Sequence, residues 1–196
     1  MPFLPDPEPE RGSAWAEIGR EALWSLEHAD ELQPREPTRG MARLLRLWRY
    51  PRSGPYVSWS ILLPAREYRS RRSLIREVSW DRLKDWKLAR APQQALKRRQ
   101  ALGATLICRD AELEWEELSP SMDGLGGLWW RMPPQAKPDP ADDEFGLEGF
   151  RSLAHVKLQW RGKGPRGWAE PVGRITKLRG LLLRCMRDRE SQRARD

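Results

Sequence analysis

Residues 56–63 read YVSWSILL, and every second side chain in this run is apolar: Val57, Trp59, Ile61 and Leu63. Successive side chains of a β-strand point to opposite faces of a sheet, so this alternation predicts a strand with one face in the core. The preceding residues 51–55, PRSGP, cannot continue a regular element. The run therefore indicates a β-sheet, and the segments on either side extend it.

Further strands and a helix are predicted around this run. Residues 43–50 precede it and are predicted to form a strand. Residues 74–80 follow it as a third strand, in which Leu74, Val78 and Trp80 alternate and Arg76 interrupts the pattern. Because the connections are short, we expect an antiparallel meander of three strands with one face exposed to water. Farther along, residues 104–108 predict a short buried strand, and residues 111–118 predict an acidic helix capped by Asp110.

Two amphipathic helices are predicted toward the ends of the chain. Ser13 offers an N-cap, and Pro34 ends the helix that follows. The apolar stripe of this helix is Trp15, Ile18, Ala22, Leu26 and Ala29. Near the C-terminus, a hairpin of residues 144–151 and 153–161 precedes a helix that begins at Trp168. Its apolar stripe is Trp168, Val172, Ile175, Leu178, Leu182 and Cys185.

Together these elements predict an α+β fold. It has an N-terminal helix, an antiparallel sheet of about five or six strands, and a C-terminal amphipathic helix packed on the sheet. Residues 1–12 hold four prolines among acidic groups and predict an extended arm. Residues 13–187 are predicted to form a single domain, and residues 188–196 a frayed basic tail.

The charge of the chain alternates in blocks. The 196 residues carry a formal net charge of +8. Residues 1–38 have a net charge of −6, residues 39–103 of +13, residues 104–150 of −8, and residues 151–196 of +9. Blocks of opposite sign can neutralise each other inside one fold, which weakens the inference of nucleic-acid binding from a high isoelectric point.

Composition excludes several classes of protein. No run approaches the roughly 18–20 apolar residues that a membrane span needs, and the acidic, proline-rich N-terminus is unlike a signal peptide. Eleven tryptophans indicate a bulky core, whereas a disordered chain has few aromatic residues. Cys108 and Cys185 are too few for a disulfide framework and favour a reducing compartment, so we expect a cytoplasmic protein.

The sequence offers little material for catalysis. We interpret His28 and His155 as solvated or packing residues rather than members of a catalytic triad. The two cysteines lack the paired spacing of a zinc site. We therefore expect no catalytic residue, no cofactor and no metal. A metal-dependent nuclease is the enzyme class that the sequence disfavours least, and its candidate groups are Asp85, Lys87, Glu112 and Glu114.

A basic region at residues 66–99 is a candidate contact surface for phosphate or for an acidic partner. Its candidate residues are Arg71, Arg72, Arg76, Lys97, Arg98 and Arg99. These groups could bind nucleic acid, or they could offset the acidic blocks of the chain. We favour offsetting, or contact with a protein, because a dedicated nucleic-acid binder more often has one uninterrupted basic face.

Trp129, Trp130 and Arg131 form a candidate partner-binding site. If this segment is a strand, neighbouring side chains face opposite sides, so one of the two indoles is exposed. Tryptophan and arginine are enriched at protein interfaces. The alternative is a loop that folds both rings inward.

The last quarter of the chain contains a distinctive turn. Gly164-Pro165-Arg166-Gly167-Trp168 lies between a strand that contains Trp160 and the C-terminal helix. This arrangement resembles uncharacterised bacterial α+β proteins in which a strand runs through a Gly-Pro-x-x-Trp turn into a helix. The resemblance implies an α+β fold, stacking of Trp160 on Trp168, and a bacterial accessory or immunity-like role. It implies no catalytic residue.

These observations favour a non-catalytic protein-interaction module of the immunity or accessory-subunit type. We expect it to bind a toxin, an effector or a complex subunit through charged and tryptophan-bearing surface, by occlusion or by completing an assembly. Charge complementarity would govern the association rate more than the final affinity. The alternative is a nucleic-acid-binding accessory subunit that uses residues 66–99.

Overall fold

The computed structural model describes residues 14–33, 36–64, 72–89, 103–126, 142–151, 154–165 and 167–194. The predicted arm at residues 1–12 lies outside these ranges. The α-helices are α1 (Ala14–Glu27), α2 (Arg82–Ala89), α3 (Trp115–Gly126) and α4 (Ala169–Arg193). The strands are β1 (Met41–Tyr50), β2 (Tyr56–Pro64), β3 (Arg72–Trp80), β4 (Leu106–Glu114), β5 (Glu144–Arg151) and β6 (Ala154–Arg161). Two 3₁₀ helices, Ala29–Glu31 and Glu36–Thr38, lie between α1 and β1.

The six strands form one antiparallel sheet in the order β4-β3-β2-β1-β5-β6. The predicted meander supplies its middle, and the predicted C-terminal hairpin supplies one edge. The chain passes from β4 at the opposite edge to β5 beside β1. The predicted α+β fold, with its N-terminal helix, antiparallel sheet and C-terminal helix, is confirmed.

One face of the sheet, here called the α4 face, packs against α3 and α4. The strands contribute alternate apolar side chains to it, among them Leu45, Leu47, Trp59, Ile61, Ile75 and Ala111. Helix α4 contributes Ile175, Leu178, Leu182 and Met186, and Trp168 packs with them from just before the helix. The predicted stripe of the C-terminal helix therefore faces the core. No helix in the described part of the chain is both long and apolar enough to cross a membrane.

The opposite face, here called the α1 face, packs against α1 and the 3₁₀ helix Ala29–Glu31. Val78 and Trp80 of β3 form a second apolar cluster there with Ala22 and Leu26 of α1. As a result, every residue from 73 to 80 is buried. The expectation that one face of the meander is exposed to water is wrong, because the N-terminal helix covers it.

Strand β4 is longer than predicted. It runs to Glu114, and α3 begins only at Trp115, so residues 111–114 are extended rather than helical. Pairing with β3 explains the difference. Arg72 lies directly across from Glu114, and Arg76 lies directly across from Asp110. These cross-strand pairs of opposite charge stabilise the strand, and they outweigh the local preference for a capped helix.

Helix α4 reaches Arg193, whereas the sequence predicts a frayed tail from residue 188. Arg109 of β4 forms ion pairs with Glu190 of α4 and with Glu77 of β3. The buried Glu77 also accepts a hydrogen bond of 2.7 Å from the indole N–H of Trp59. These contacts tie the last turns of α4 to the sheet and explain why the helix continues.

The Gly-Pro-x-x-Trp turn lies where β6 meets α4. Gly164 has a φ of 79°, in the left-handed region that favours glycine. The rings of Trp160 and Trp168 meet there edge to face, with centroids 6.3 Å apart and an interplanar angle of 62°. Phe145 of β5 stacks on Trp160 at 5.8 Å. The two tryptophans therefore close the end of the core in edge-to-face contact.

Candidate functional site

Most of the residues that the sequence proposes for binding lie outside the described ranges. These are Arg71, Lys97, Arg98, Arg99, Trp129, Trp130 and Arg131. Arg72 and Arg76 are described, and both lie on β3. The two arginines differ in burial, so their possible roles differ as well.

Arg76 is a core residue with 0% exposure. Its guanidinium donates to both carboxylate oxygens of Asp110 at 2.7 Å, and to the carbonyl oxygens of Ala29 and Leu32 at 3.3 and 3.0 Å. Burial alone lowers the pKa of Arg76, but the bonded Asp110 carboxylate outweighs burial and raises it. The proposed role in contacting an external phosphate is corrected: Arg76 holds the 3₁₀ helix Ala29–Glu31 against the sheet.

A second buried arginine, Arg46, also lies on the α1 face. Its Nε donates to the Ser58 hydroxyl at 3.1 Å, and its Nη2 donates to the Tyr50 hydroxyl at 2.9 Å. Burial raises the pKa of Tyr50 to about 12, so this phenol stays neutral. The guanidinium also pairs with Glu148 at 3.3 Å and Glu27 at 3.5 Å. Basic and acidic blocks of the sequence therefore neutralise each other at Arg46, inside the fold.

Ser60 lies between the two buried arginines and provides a test of this arrangement. In register, Ser60 of β2 is opposite Arg46 on one side and Arg76 on the other. Its hydroxyl is buried and makes no hydrogen bond, whereas Ser58 on the same strand accepts one from Arg46. Ser60→Ala should leave the free energy of unfolding unchanged or raise it, because no hydrogen bond is lost.

The matched variant Ser58→Ala should lower that free energy by about 1–2 kcal/mol, because the charged Arg46 loses an acceptor. Urea denaturation of both variants checks the difference. An equal loss of stability in both would contradict the assignment of Ser60 as an unbonded hydroxyl.

An open groove of about 820 Å³ follows the outer edge of β4, and Arg72 is part of it. We call it the β4 groove. Its floor is the edge strand itself, at residues 110–114. One wall contains Pro37, Arg72 and Leu74. The other wall is the C-terminal half of α4, with Leu181, Arg184, Cys185, Asp188 and Arg189.

The two walls of the β4 groove carry charges of both signs. Arg72 is 68% exposed and pairs with Glu112 at 3.3 Å and with Glu114 at 2.9 Å. One arginine thus serves two carboxylates at this wall. At the α4 wall, Arg184 and Arg189 accompany Asp188, and Glu117 of α3 also lines the groove. The sequence analysis named none of these α4 residues as candidate contacts. Their position beside β4 depends on how the helix crosses the sheet, which the sequence alone does not indicate.

Both cysteines are free thiols. Cys185 donates a weak hydrogen bond of 3.4 Å to the carbonyl oxygen of Glu112, on the edge strand. Burial raises the pKa of Cys185, and the nearby Asp188 and Glu117 raise it further. Burial also raises the pKa of Cys108. Both shifts disfavour the nucleophilic thiolate, so these cysteines fit a packing role.

Helix α1 carries an exposed tryptophan on the side that points away from the sheet. This outward side, with Leu23, Trp24 and the adjacent His28, is here called the α1 surface, and it is distinct from the α1 face of the sheet. Ala22 and Leu26 are buried against the sheet, whereas Trp24, about half a helical turn away from each, is 47% exposed. The imidazole of His28 stacks on the indole at 4.6 Å with an interplanar angle of 13°. Leu23 is exposed next to it. The sequence signal was available, because Trp24 lies off the apolar stripe of its helix.

Among the residues named for a metal-dependent nuclease, Glu112 and Glu114 pair with Arg72, and Asp85 is bonded inside the fold. Asp85 is buried and accepts hydrogen bonds from the Trp80 indole at 2.8 Å and from the Thr105 amide and hydroxyl at 2.7 and 2.6 Å. Lys87 is exposed on α2. His155 lies on β6 across from Phe150. In the ranges that the structure describes, no three His, Cys, Asp or Glu side chains gather as metal ligands.

Comparison with known proteins gives no match: no family model, no curated protein and no solved structure is similar to this chain.

Proposed function

We propose that this protein is a protein-interaction module that binds a basic segment of a partner protein through the α1 surface. The observation that carries the proposal is the exposure of Trp24 on the outward side of a helix whose inward side packs against the sheet through the buried Ala22 and Leu26. Tryptophan is strongly enriched among the residues that dominate binding energy at protein interfaces.

The geometry of Trp24 suits a binding residue. His28, one helical turn later, stacks on the indole and restricts its rotamers. A ring that is already oriented loses less conformational entropy when a partner covers it. The exposed Leu23 extends the apolar contact area on the same helix.

Charge complementarity indicates the chemistry of the partner. Residues 14–33 contain five carboxylates and one arginine, although the chain as a whole is basic. Glu21 and Glu17 are exposed about one and two helical turns before Trp24, together with Arg20. A Lys or Arg side chain of the partner can lie over the indole face in a cation–π contact while the surrounding carboxylates attract it.

The role proposed for this module is that of an accessory or immunity-type protein. It would cover a functional surface of its partner or complete an assembly, without catalysing a reaction itself. We place it in the cytoplasm, since the two cysteines are free thiols, as is usual in reducing compartments.

The experiment compares wild type with Trp24→Ala in binding to a partner. Partners are captured from cells that encode the protein, identified, and produced in pure form, and the Kd is measured by calorimetry. Trp24→Ala should raise the Kd by about 30-fold or more, the effect of removing a dominant interface residue. Glu17→Lys should lower the association rate and reduce its dependence on salt.

Leu183→Ala is the matched control, because Leu183 is an exposed apolar side chain on α4, on the other side of the sheet. It should leave the Kd within about twofold of wild type, as expected for a side chain outside the interface. A purified partner that binds wild type and Trp24→Ala equally well would rule out the α1 surface.

A further inference from the structure

We infer that the β4 groove binds an extended segment of a partner protein as an added strand, with basic side chains alternating with apolar ones. This inference rests on the proposed function because the ligand is again a protein. The binding surface is a different one, the β4 groove instead of the α1 surface. Strand addition at a sheet edge is a known mode of peptide recognition: the backbone provides affinity, and alternate side chains provide specificity.

Alternate residues of β4 direct their backbone hydrogen-bonding groups away from β3. The Ser73 hydroxyl on β3 donates to the carbonyl oxygen of Leu113 at 2.7 Å, so this carbonyl is turned toward β3. The carbonyl of Glu112 is turned the other way, where it accepts from the Cys185 thiol. Because the N–H and C=O of one residue lie on the same side of an antiparallel strand, Asp110 and Glu112 direct both groups away from β3 and toward the groove.

The groove has the length of a short extended peptide. Residues 110–114 of β4 form its floor, and five residues of strand span roughly 16 Å. An extended peptide of about five or six residues matches this length. Helix α4 forms one wall, and Pro37 belongs to the other. The alternate side chains of an added strand would project toward these two walls.

The charge at one rim of the groove favours basic side chains in the ligand. At the wall that contains Arg72, this arginine lies between Glu112 and Glu114, so the described side chains of this rim have one negative charge in excess. Side chains of an added strand that project to this rim pair directly with Glu112 and Glu114, and Lys or Arg is the favourable choice there. Those that project to the other rim meet α4, where Leu181 and Cys185 offer an apolar contact beside the charged Arg184, Asp188 and Arg189.

The same charges argue against a second copy of this chain as the occupant. In an antiparallel β4–β4 pair centred on Asp110, that carboxylate would face its own equivalent, and Leu106 would face Glu114. Like charges directly opposite each other are destabilising. Carboxylates on an exposed edge are also a device that proteins use against pairing between identical edges. The groove is therefore assigned to a partner strand of complementary charge.

The test uses synthetic heptapeptides and the full chain. The probe alternates Lys and Val between Thr ends, and its binding is measured by fluorescence anisotropy and by two-dimensional NMR of the labelled protein. We expect saturable binding with amide shifts confined to β4 and the C-terminal half of α4. A peptide with Glu in place of each Lys should bind at least tenfold more weakly.

Methylation of the peptide backbone separates strand addition from simple charge attraction. N-methyl groups on the amides of one edge of the peptide should weaken binding at least tenfold, whereas methylation of the other edge should change it less than twofold. Equal effects of both patterns would overturn the inference. So would the absence of binding by both the Lys and the Glu peptides.

Protein variants then locate the site. Glu112→Lys with Glu114→Lys should weaken binding of the Lys peptide at least tenfold, whereas Glu116→Lys, an exposed change on α3 outside the groove lining, should not. Trp24→Ala should leave peptide binding unchanged, so failure of the β4 groove and failure of the α1 surface are distinguishable. Equal weakening by the Glu112 and Glu116 variants would overturn the assignment to the groove.

Discussion

Replacing Asp110 with alanine should lower the free energy of unfolding by about 3–5 kcal/mol, because the variant leaves a buried arginine without its counter-ion. Arg76 is fully buried, and Asp110 accepts two of its N–H groups at 2.7 Å. The loss should extend to the 3₁₀ helix Ala29–Glu31, whose Ala29 carbonyl oxygen accepts from the same guanidinium. Urea denaturation followed by tryptophan fluorescence measures the change.

Glu112→Ala is the matched control for Asp110→Ala. It removes a carboxylate two residues away on the same strand, from an ion pair of the same type, but both partners are about two-thirds exposed. Solvent screens such a pair, so the expected cost is at most about 1 kcal/mol. If both variants lose the same stability, burial does not decide the strength of these pairs, and the account of the α1 face is wrong.

Replacing Gly146 with alanine should cost about 3 kcal/mol, through a clash rather than a lost contact. A Cβ atom at this position would lie 1.8 Å from Cζ2 of Trp48, which is buried across from it on β1. The indole must move, and it then loses its packing under the Arg46 guanidinium, which lies 4.6 Å from the ring centroid. Thermal unfolding and the near-ultraviolet circular dichroism of Trp48 should both report the change.

Gly173→Ala on α4 is the contrasting glycine variant. A Cβ atom there has no neighbour within 4 Å, and alanine is the better helix former, so stability should rise by about 0.5–1 kcal/mol. A loss of stability in Gly146→Ala and a gain in Gly173→Ala would show that glycine is required at position 146 because of the limited space there, not because of its backbone freedom. A destabilising effect of Gly173→Ala would contradict the open space beside α4.

The strands and helices were predictable because their signals are local. The alternation at residues 56–63 follows from the twofold repeat of a strand, and the stripe from Trp168 follows from the 3.6-residue repeat of a helix. Residues 111–114 were predicted incorrectly because helix and strand preferences compete there. The choice depends on Arg72 and Arg76, which are distant in sequence and adjacent only in the sheet.

The candidate site was less predictable than the fold. Exposure of Trp24 could be read from its place off the helical stripe. Arg72 and Arg76 are four residues apart on one strand and look equivalent in sequence, yet one is exposed and the other is fully buried. The difference arises because the 3₁₀ helix Ala29–Glu31, which is contributed by another part of the chain, covers Arg76 alone.

For this protein, patterns of neighbouring residues were sufficient to indicate an α+β fold with a β-sheet and a helix toward each end of the chain. Such patterns are local because the periodicity of a strand or helix depends only on backbone geometry. The alternation of charge along the chain was likewise visible before any coordinates. Which arginine meets which carboxylate, which face of β3 is covered, and where the β4 groove lies were all outcomes of three-dimensional packing. Each of these depends on pairs of residues separated by tens of positions, and such pairs leave no periodic trace in a single sequence.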